Sequence, residues 1–426
     1  MMVVVNRVYI EFFNCPTKML PKSIVSILMH LIKIFVIMYI IIRSYTFQLR
    51  RLMPSKAVIS TNKRKLSMLT LRSSSSATSH PLDLSPHTSS LYTPYTLSLP
   101  QTPRHPPIIH HPSLSPPHWP SNHTFPMSKF TSTANHLLTS HINELQGPLI
   151  KNSNLILPQT LNSHDIVEPH GPHCPLYFQR FVTKTLTPGE EKSTSFRKGL
   201  TKLLVPRTLK ELDATYTTMK LAIEHGVACS TSGGTHHAFR ERGTGFTILN
   251  DVAVGVRKVI RDTGGVGGIT VVDLDVHQGD GNACLLRGLE GVRTVSVHCG
   301  ENFPFVKEVS DWDVEVPEGT GDEVYLGIVE EVLEREVKRG LGLVVYIAGV
   351  DIWEGDKLGR LKVSEEGVRR RDYMVVKKCV KEGVPVATIV GGGYSEDEKI
   401  MGGRHAGVIE EAARVWREDK VWKGRR

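Results

Sequence analysis

Short runs of apolar and β-branched residues recur along the second half of the chain, each too short for an ordinary helix. The clearest run begins at Ile269, and polar residues follow it at alternate positions, which is typical of a buried strand that ends at a polar edge. Four further runs have a similar length and composition. The predicted strands cover residues 227–230, 269–274, 292–298, 343–348 and 386–390.

Apolar residues at helical spacing lie between these strands. Residues 209–223 predict an amphipathic helix that ends at Gly226. Residues 325–333 predict another, with Asp322 as its N-cap and Gly340 as its stop. Strands that alternate with helices indicate an α/β fold, in which one large domain has a central, mostly parallel sheet covered by helices on both faces.

Three polar side chains alternate where the strand at 269–274 runs out, namely Asp273, Asp275 and His277, and Asp280 follows in a glycine-flanked turn. Side chains two residues apart on a strand point the same way, so the three converge. They are costly behind a buried strand unless they are paired or bind a metal, and Asp-x-His offers one oxygen and one nitrogen ligand, a set that suits zinc. A solvated strand end with chance acidic residues is the alternative.

Other predicted strands also end in polar residues. Because ligands bind outside the carboxyl ends of the strands in an open α/β sheet, we expect these residues to meet at one edge. Asp351 then becomes the third ligand beside Asp275 and His277. Two carboxylates and one imidazole leave an open position for water and substrate, as in catalytic zinc sites. Taken alone, Asp351 fits a helix cap or a turn equally well.

A second group of candidates is the pair His236 and His237, which follows a strand and two glycines. Adjacent histidines on a loop are more often surface residues. Here the spare carboxylates of Asp273 and Asp280 suit a role behind the imidazoles, where they would make one histidine a general base. Tyr394 follows three glycines, and its hydroxyl is a candidate for stabilising an oxyanion.

Seven motifs lie in order between residues 123 and 394. They are His123–Phe130, Gly233–Phe239, Gly245–Asp251, Asp273–Gly281, Ser296–Phe305, Ala348–Asp351 and Gly391–Tyr394. Through these motifs the region from about 89 to 418 resembles the zinc-dependent histone deacetylase family, of the arginase/deacetylase fold. The Gln278 and Asn302–Phe305 variants look most like the class IV branch and its bacterial relatives.

The resemblance implies roles residue by residue. The zinc ligands would be Asp275, His277 and Asp351. The tandem histidines would be His236 and His237, backed by Asp273 and Asp280 respectively, with His237 as the general base and acid. Tyr394 would polarise the acyl carbonyl. Phe246 would line the acyl-lysine channel, with Phe303 or Phe305 opposite and Gly392 and Gly393 beside the substrate. Potassium is a second implied ion, which would involve Asp273, Asp275, His277, Ser296 and Val297.

The N-terminal region differs in composition. Residues 1–130 hold fourteen Lys and Arg but only two acidic residues, against 52 and 43 in the whole chain. The net charge of +9 therefore comes from the N-terminal region and does not indicate a nucleic-acid-binding surface on the folded part. No direct nucleic-acid binding is expected. Residues 1–88 are predicted to be an extension, with an apolar segment at 23–42 and then a basic, Ser-rich stretch. A signal-anchor that contacts a membrane, a two-part targeting sequence, and a translation start at Met53 or Met68 remain alternatives. The last would leave the protein in the nucleus or cytoplasm.

Residues 77–123 are rich in Pro, Ser, Thr and His, which predicts an extended or disordered segment with solvated histidines. Within it, 91–97 is a candidate edge strand. A Pro-rich insertion at about 101–120 is expected to interrupt the start of the catalytic domain, 89–420, and the segment 150–200 matches the family poorly. The six cysteines have no C-x-x-C spacing, which favours reduced thiols over a disulfide framework.

The leading hypothesis is a zinc-dependent amidohydrolase that removes acyl groups from lysine side chains of histone or other proteins, which would connect it to chromatin regulation. A deacylase of acetylpolyamines or of long-chain acyl-lysine is the enzymatic alternative. A non-catalytic scaffold is the alternative from another class, although a scaffold would be expected to lose ligands and none of the implied ligands is missing.

Overall fold

Eight parallel strands form the single sheet of the computed structural model, which describes residues 104–140, 147–151, 154–395 and 397–421. The strand order across the sheet is β2-β1-β3-β8-β7-β4-β5-β6. The strands are β1 (Ile108–Ile109), β2 (Leu155–Ile156), β3 (Val227–Ser230), β4 (Ile269–Asp273), β5 (Val292–Cys299), β6 (Trp312–Val316), β7 (Leu343–Ala348) and β8 (Val386–Val390). The five predicted strands are confirmed to within a residue at each end, whereas β1, β2 and β6 were not predicted.

Helices cover both faces, so the predicted α/β architecture is confirmed. The α-helices are α1 (Lys129–Thr139), α2 (Ser163–Ile166), α3 (Pro175–Val182), α4 (Pro188–Ser193), α5 (Val205–His225), α6 (Asp251–Thr263), α7 (Asp280–Leu286), α8 (Asp322–Glu336), α9 (Glu365–Glu382) and α10 (Glu398–Glu418). Helix α5 ends at Gly226 as predicted, with a φ of 94° there. The predicted ends of α8 are wrong, because Gly321 is its N-cap and the helix stops at Glu336. The Asp322 carboxylate instead accepts hydrogen bonds from Ser364 at the start of α9.

Two apolar clusters lie on the two faces of the sheet. Val272, Leu274 and Val276 pack with residues of α8, α9 and α10. Ile269 and Val271 pack on the other face with residues of α5 and α6. Because side chains alternate along a strand, the odd-numbered polar residues from Asp273 onward point away from the face that α9 covers.

The described part of the Pro-rich stretch is folded, contrary to the expected extended segment. Ile108, Ile109 and Leu114 are fully buried, and β1 pairs with β2 on one side and β3 on the other. The two-residue strand is too short for periodicity to reveal it. Two histidines of this stretch are buried rather than solvated: His110 bonds Thr231 Oγ1 at 2.7 Å, and His123 packs against Phe246. The candidate strand at 91–97 and the segments 1–88 and 23–42 lie outside the described residues.

Candidate active site

The three predicted metal ligands meet just beyond the ends of β4 and β7. Asp275, His277 and Asp351 are all buried, and one donor atom from each lies within 4.8 Å of the others. His277 Nδ1 is 3.1 Å from both Asp275 Oδ1 and Asp351 Oδ2. The strand-end pattern that suggested this group therefore corresponds to one convergent set of oxygen and nitrogen donors.

The charges of this group indicate what it can hold. Burial and the neighbouring Asp275 carboxylate raise the pKa of Asp351 to about 7. Burial opposes a charge on His277, but its two carboxylate neighbours raise its pKa to about 10. Two buried carboxylates this close need a positive partner. Their donor set, with one imidazole, fits zinc.

The glycines of the loop after β8 allow the backbone to approach these carboxylates. A Cβ at Gly392 would overlap Asp351 Oδ2, and the Gly392 N–H donates to Asp275 Oδ2 at 2.5 Å. Gly392 therefore helps to fix the position of the carboxylate of Asp275. Gly393, with a φ of 154°, packs over the ring of His405, where a Cβ would meet Nε2 at 2.8 Å. Both were predicted to lie beside the substrate.

The tandem histidines each pair with a carboxylate. His236 Nδ1 lies 2.7 Å from Asp273 Oδ2, and His237 Nδ1 lies 2.7 Å from Asp280 Oδ1. Because an ionised carboxylate only accepts hydrogen bonds, each pair keeps a ring proton on Nδ1, and Nε2 is the ring nitrogen that can gain or lose a proton. The two rings are 4.1 Å apart and all four residues are buried, so these histidines are not surface residues.

The two imidazoles differ in their electrostatic surroundings. Burial lowers the pKa of His236, but Asp273 and Asp275 more than offset this and raise it to about 9. Burial and the adjacent His236 lower the pKa of His237 to about 4. One member of the pair therefore favours its charged form and the other its neutral form.

A residue outside the predicted site holds the histidine loop in place. The Asp251 carboxylate accepts hydrogen bonds from the backbone of Gly234 and from both the backbone and the hydroxyl of Thr235, at 2.6–3.0 Å. Gly233 and Gly234 have φ values of 115° and 74°, a conformation that glycine adopts without strain. Asp251 occurred in a matched motif, but its spacing gave no sign of this contact.

Tyr394 and Phe246 line the approach to the ligands. The Tyr394 ring is 6.3 Å from the ring of His277 and 6.1 Å from that of Phe246. Burial, and then the charges of Asp351 and Asp275, raise the pKa of Tyr394 well above its usual range, so the hydroxyl remains a hydrogen-bond donor. Of the two phenylalanines proposed for the opposite wall, Phe303 lies 4.9 Å from the His237 ring, whereas Phe305 is 80% exposed.

A charged cavity adjoins the histidines and was not predicted; His236, His237, Phe246 and Tyr394 form part of its wall. Its walls include Lys129, Arg207 and Glu211, which are almost completely buried, together with Phe125 and Phe130. Lys129 Nζ donates to the Gly391 carbonyl at 2.9 Å, and Arg207 Nη2 donates to Glu211 Oε1 at 2.6 Å. Burial lowers the pKa of Lys129 to about 8 and raises that of Glu211 to about 7. An i,i+4 pair of opposite charges usually marks a solvated helix face, so the sequence gave no warning.

The remaining predicted residues, Ser296 and Val297, lie in β5 next to β4. Ser296 is the register partner of Asp273. Its hydroxyl lies 2.9 Å from His298 Nδ1. The pairing of β4 with β5 thus places the predicted potassium ligands of β5 beside the strand that leads to the predicted zinc ligands.

The sequence is similar to those of known proteins. A histone deacetylase domain model matches residues 125–403. An uncharacterized protein of Picosynechococcus sp. is 39% identical over 313 residues, which cover 72% of this chain and 98% of that protein. Histone deacetylase 2 of Arabidopsis thaliana is 33% identical over 43% of this chain, and histone deacetylase RPD3 of Saccharomyces cerevisiae is 32% identical over 40%. The matches span 49% and 40% of those two proteins, about half their length or less.

Solved structures show the same fold. A histone deacetylase homologue from Aquifex aeolicus superposes with a TM-score of 0.55 at 20% identity, covering 72% of this chain and 83% of that one. A homologue in complex with SAHA gives 0.54 at 19% identity, covering 74% and 89%. The histone deacetylase domain model matches more than half of the chain, which shows that this chain belongs to the histone deacetylase family.

Proposed function

We propose that the chain is a zinc-dependent lysine deacetylase that removes acetyl groups from lysine side chains of histone or other proteins. The observation that carries this proposal is the convergence of Asp275, His277 and Asp351 beside two histidine–carboxylate pairs. The intact ligand set speaks against a non-catalytic scaffold. The aromatic rings of Phe246 and Phe303 suit the apolar stem of an acyl-lysine.

Zinc held by the three ligands would polarise the acyl carbonyl and acidify water. His237 presents Nε2 as the general base that takes the proton of the attacking water, while Asp280 fixes its Nδ1 proton. Tyr394 donates its hydroxyl proton in a hydrogen bond to the oxygen that becomes negative. His237 or the adjacent His236 then protonates the departing amine.

The charged cavity favours a short acyl group. A long alkyl chain that entered it would displace solvent from Lys129, Arg207 and Glu211 without offering hydrogen bonds, which is costly for buried charges. An acetyl group adds a single methyl group and brings little of this cost. Acetyl-lysine is therefore the proposed substrate, and long-chain acyl-lysine is the weaker alternative.

Hydrolysis of three substrates by the purified full chain tests the proposal. We expect acetyl-lysine peptides to be cleaved faster than myristoyl-lysine peptides and acetylpolyamines, and we expect a zinc chelator to abolish all cleavage. Preference for acetylpolyamine would move the function to the small-amine alternative. Activity that survives complete zinc removal would contradict the proposed chemistry.

We also propose a potassium ion beside the zinc, held by Asp273, Asp275, His277, Ser296 and Val297. The register of Asp273 against Ser296 supports it. The thermal midpoint of the zinc-loaded chain should rise when potassium chloride replaces an equal concentration of tetramethylammonium chloride. An unchanged midpoint would count against this ion.

For residues 1–88 we propose a targeting or membrane-contact role. No helix among the described residues combines the length and hydropathy needed to cross a membrane. Replacing the apolar residues of 23–42 with Gly and Ser should move the full chain from the membrane fraction of cells to the soluble fraction. Full chain that is soluble from the outset would support the downstream start.

A further inference from the structure

We propose that Arg371 is a positioning residue for the metal site, which fixes the two strand ends that carry Asp275 and Asp351. The proposal rests on the zinc site proposed above. Arg371 belongs to α9, which packs on one face of the sheet, and it is not one of the proposed zinc ligands.

Arg371 bridges two chain segments at the place where their backbone pairing ends. The β4–β7 ladder runs to Asp273 and Ile347, and Leu274 N–H still donates to the Ile347 carbonyl at 3.1 Å. Beyond that point, Arg371 Nη1 donates to the carbonyls of Leu274 at 3.2 Å and Gly349 at 2.6 Å. These carbonyls belong to residues one and two positions before the ligands Asp275 and Asp351, so a single nitrogen sets the separation of both segments.

The guanidinium reaches these carbonyls from the face opposite to the ligand side chains. Val368 and Val375 of α9 pack in the same apolar cluster as Leu274 and Val276. The odd-numbered residues at the end of β4 and beyond it point the other way, as the pairing of Asp273 with His236 shows. Arg371 therefore acts through the backbone and makes no contact with the reacting atoms.

Simple helix packing does not explain a charge at this position. Arg371 and Asp372 are both fully buried, and a buried ion pair is often no more stabilising than apolar residues of similar volume. The neighbouring residues of α9 in the apolar cluster are Val368, Val375, Val376 and Cys379. The contacts of the pair instead fix the orientation of the guanidinium. Arg371 Nε and Nη2 donate to Asp372 Oδ1 at 3.0 and 2.8 Å, and the Tyr346 hydroxyl donates to the same oxygen at 2.6 Å.

This arrangement predicts that Arg371 contributes to zinc affinity. Groups that orient ligands without touching the metal typically change affinity or activity by about 10–100-fold when they are removed. In Arg371→Met the segments after β4 and β7 lose their common donor, so Asp275 and Asp351 are held at a less defined separation. The match to zinc weakens even where the fold persists.

Arg369 provides the matched control on the same helix. It is about a third exposed and pairs with Glu410 and Glu411 of α10, away from the ligands. The zinc affinity of the full-length wild type, Arg371→Met and Arg369→Met is measured by competition with a chelating indicator, with the thermal midpoint of each zinc-free protein alongside. We expect a loss of about 10-fold or more for Arg371→Met and no change for Arg369→Met, whatever their stabilities.

Equal affinity in the two variants would overturn the proposal. If Arg371→Met does not fold, Arg371→Lys and Arg369→Lys are compared by the same criterion. Lysine keeps the charge but has one donor nitrogen in place of the three by which Arg371 bonds Asp372 and both carbonyls. A wild type that binds no zinc would refute the proposed function instead, so the two failures are distinguishable.

Discussion

Asp356 Oδ2 accepts a hydrogen bond from the backbone N–H of Tyr394 at 2.6 Å. The other oxygen of this carboxylate accepts the N–H groups of Leu358 and Gly359, each at 2.9 Å. One side chain therefore joins the loop after the ligand Asp351 to the loop that carries Tyr394. The position of the tyrosine hydroxyl depends on this joint.

Replacing Asp356 should lower turnover, although the proposed role of this residue is to hold Tyr394 and not to contact the substrate. In Asp356→Ala the backbone N–H of Tyr394 loses its hydrogen-bond acceptor. We expect kcat to fall by about 10–100-fold, as is typical when a group that orients a functional residue is removed. Glu354→Ala, an exposed acidic change in the same loop, should leave kcat unchanged. A kcat of Asp356→Ala equal to that of Glu354→Ala would show that the joint has no catalytic role.

The Tyr394 hydroxyl should act on the transition state. Tyr394→Phe keeps the ring packing against Phe246 and removes only the donor. We expect kcat to fall by about 100–1000-fold while zinc content and KM change little. Tyr373→Phe, a change on α9 remote from the ligands, is the control. Near wild-type turnover in Tyr394→Phe would remove this residue from the mechanism.

The buried Arg207–Glu211 pair should limit acyl length. The double variant Arg207→Leu, Glu211→Leu makes the charged cavity more apolar, and replacing a buried pair by apolar residues is often tolerated. We expect the ratio of myristoyl- to acetyl-lysine hydrolysis to rise about tenfold or more, since each buried methylene is worth about 0.8 kcal/mol. Lys220→Leu with Glu224→Leu changes exposed residues of the same helix and should leave the ratio unchanged. An unaltered ratio in the cavity variant would mean that the pair does not set acyl length.

Stability should depend on pH through the buried His173. Burial lowers its pKa to about 4, and its Nε2 accepts the Asn250 N–H at 2.9 Å. Below the unfolded-state pKa, near 6.5, the unfolded chain binds a proton that the folded chain excludes. The free energy of unfolding should therefore fall as the pH drops from about 6.5 to 4, by up to about 1.4 kcal/mol per pH unit for this group.

Urea unfolding at several pH values tests this. His173→Gln should flatten the decline between pH 6.5 and 4, whereas His164→Gln, which changes an exposed histidine, should leave the slope as in the wild type. If both variants keep the wild-type slope, the burial of His173 does not control the pH response.

Much of the fold was predictable because its central strands are buried on both faces and read as continuous β-branched runs, as in β4 and β7. The donors Asp275, His277 and Asp351 were predictable because they follow such strands directly. The two-residue strands β1 and β2 carry no periodic signal, and β1 lies in a Pro-rich context. Long-range contacts were hidden for a different reason: Arg371 lies 97 residues from Leu274 in sequence, and spacing along one helix cannot reveal such a partner.

The central claim, a zinc-dependent deacetylase built on Asp275, His277 and Asp351, is tested most directly by measuring zinc content and acetyl-lysine hydrolysis in the same samples. The samples are the full chain, the full chain stripped by a chelator and reloaded with zinc, and Asp351→Ala. We predict about one zinc per chain, hydrolysis that is lost and restored in proportion to zinc, and neither zinc nor hydrolysis in Asp351→Ala. Stoichiometric zinc in Asp351→Ala, or full hydrolysis by the stripped chain, would contradict the account.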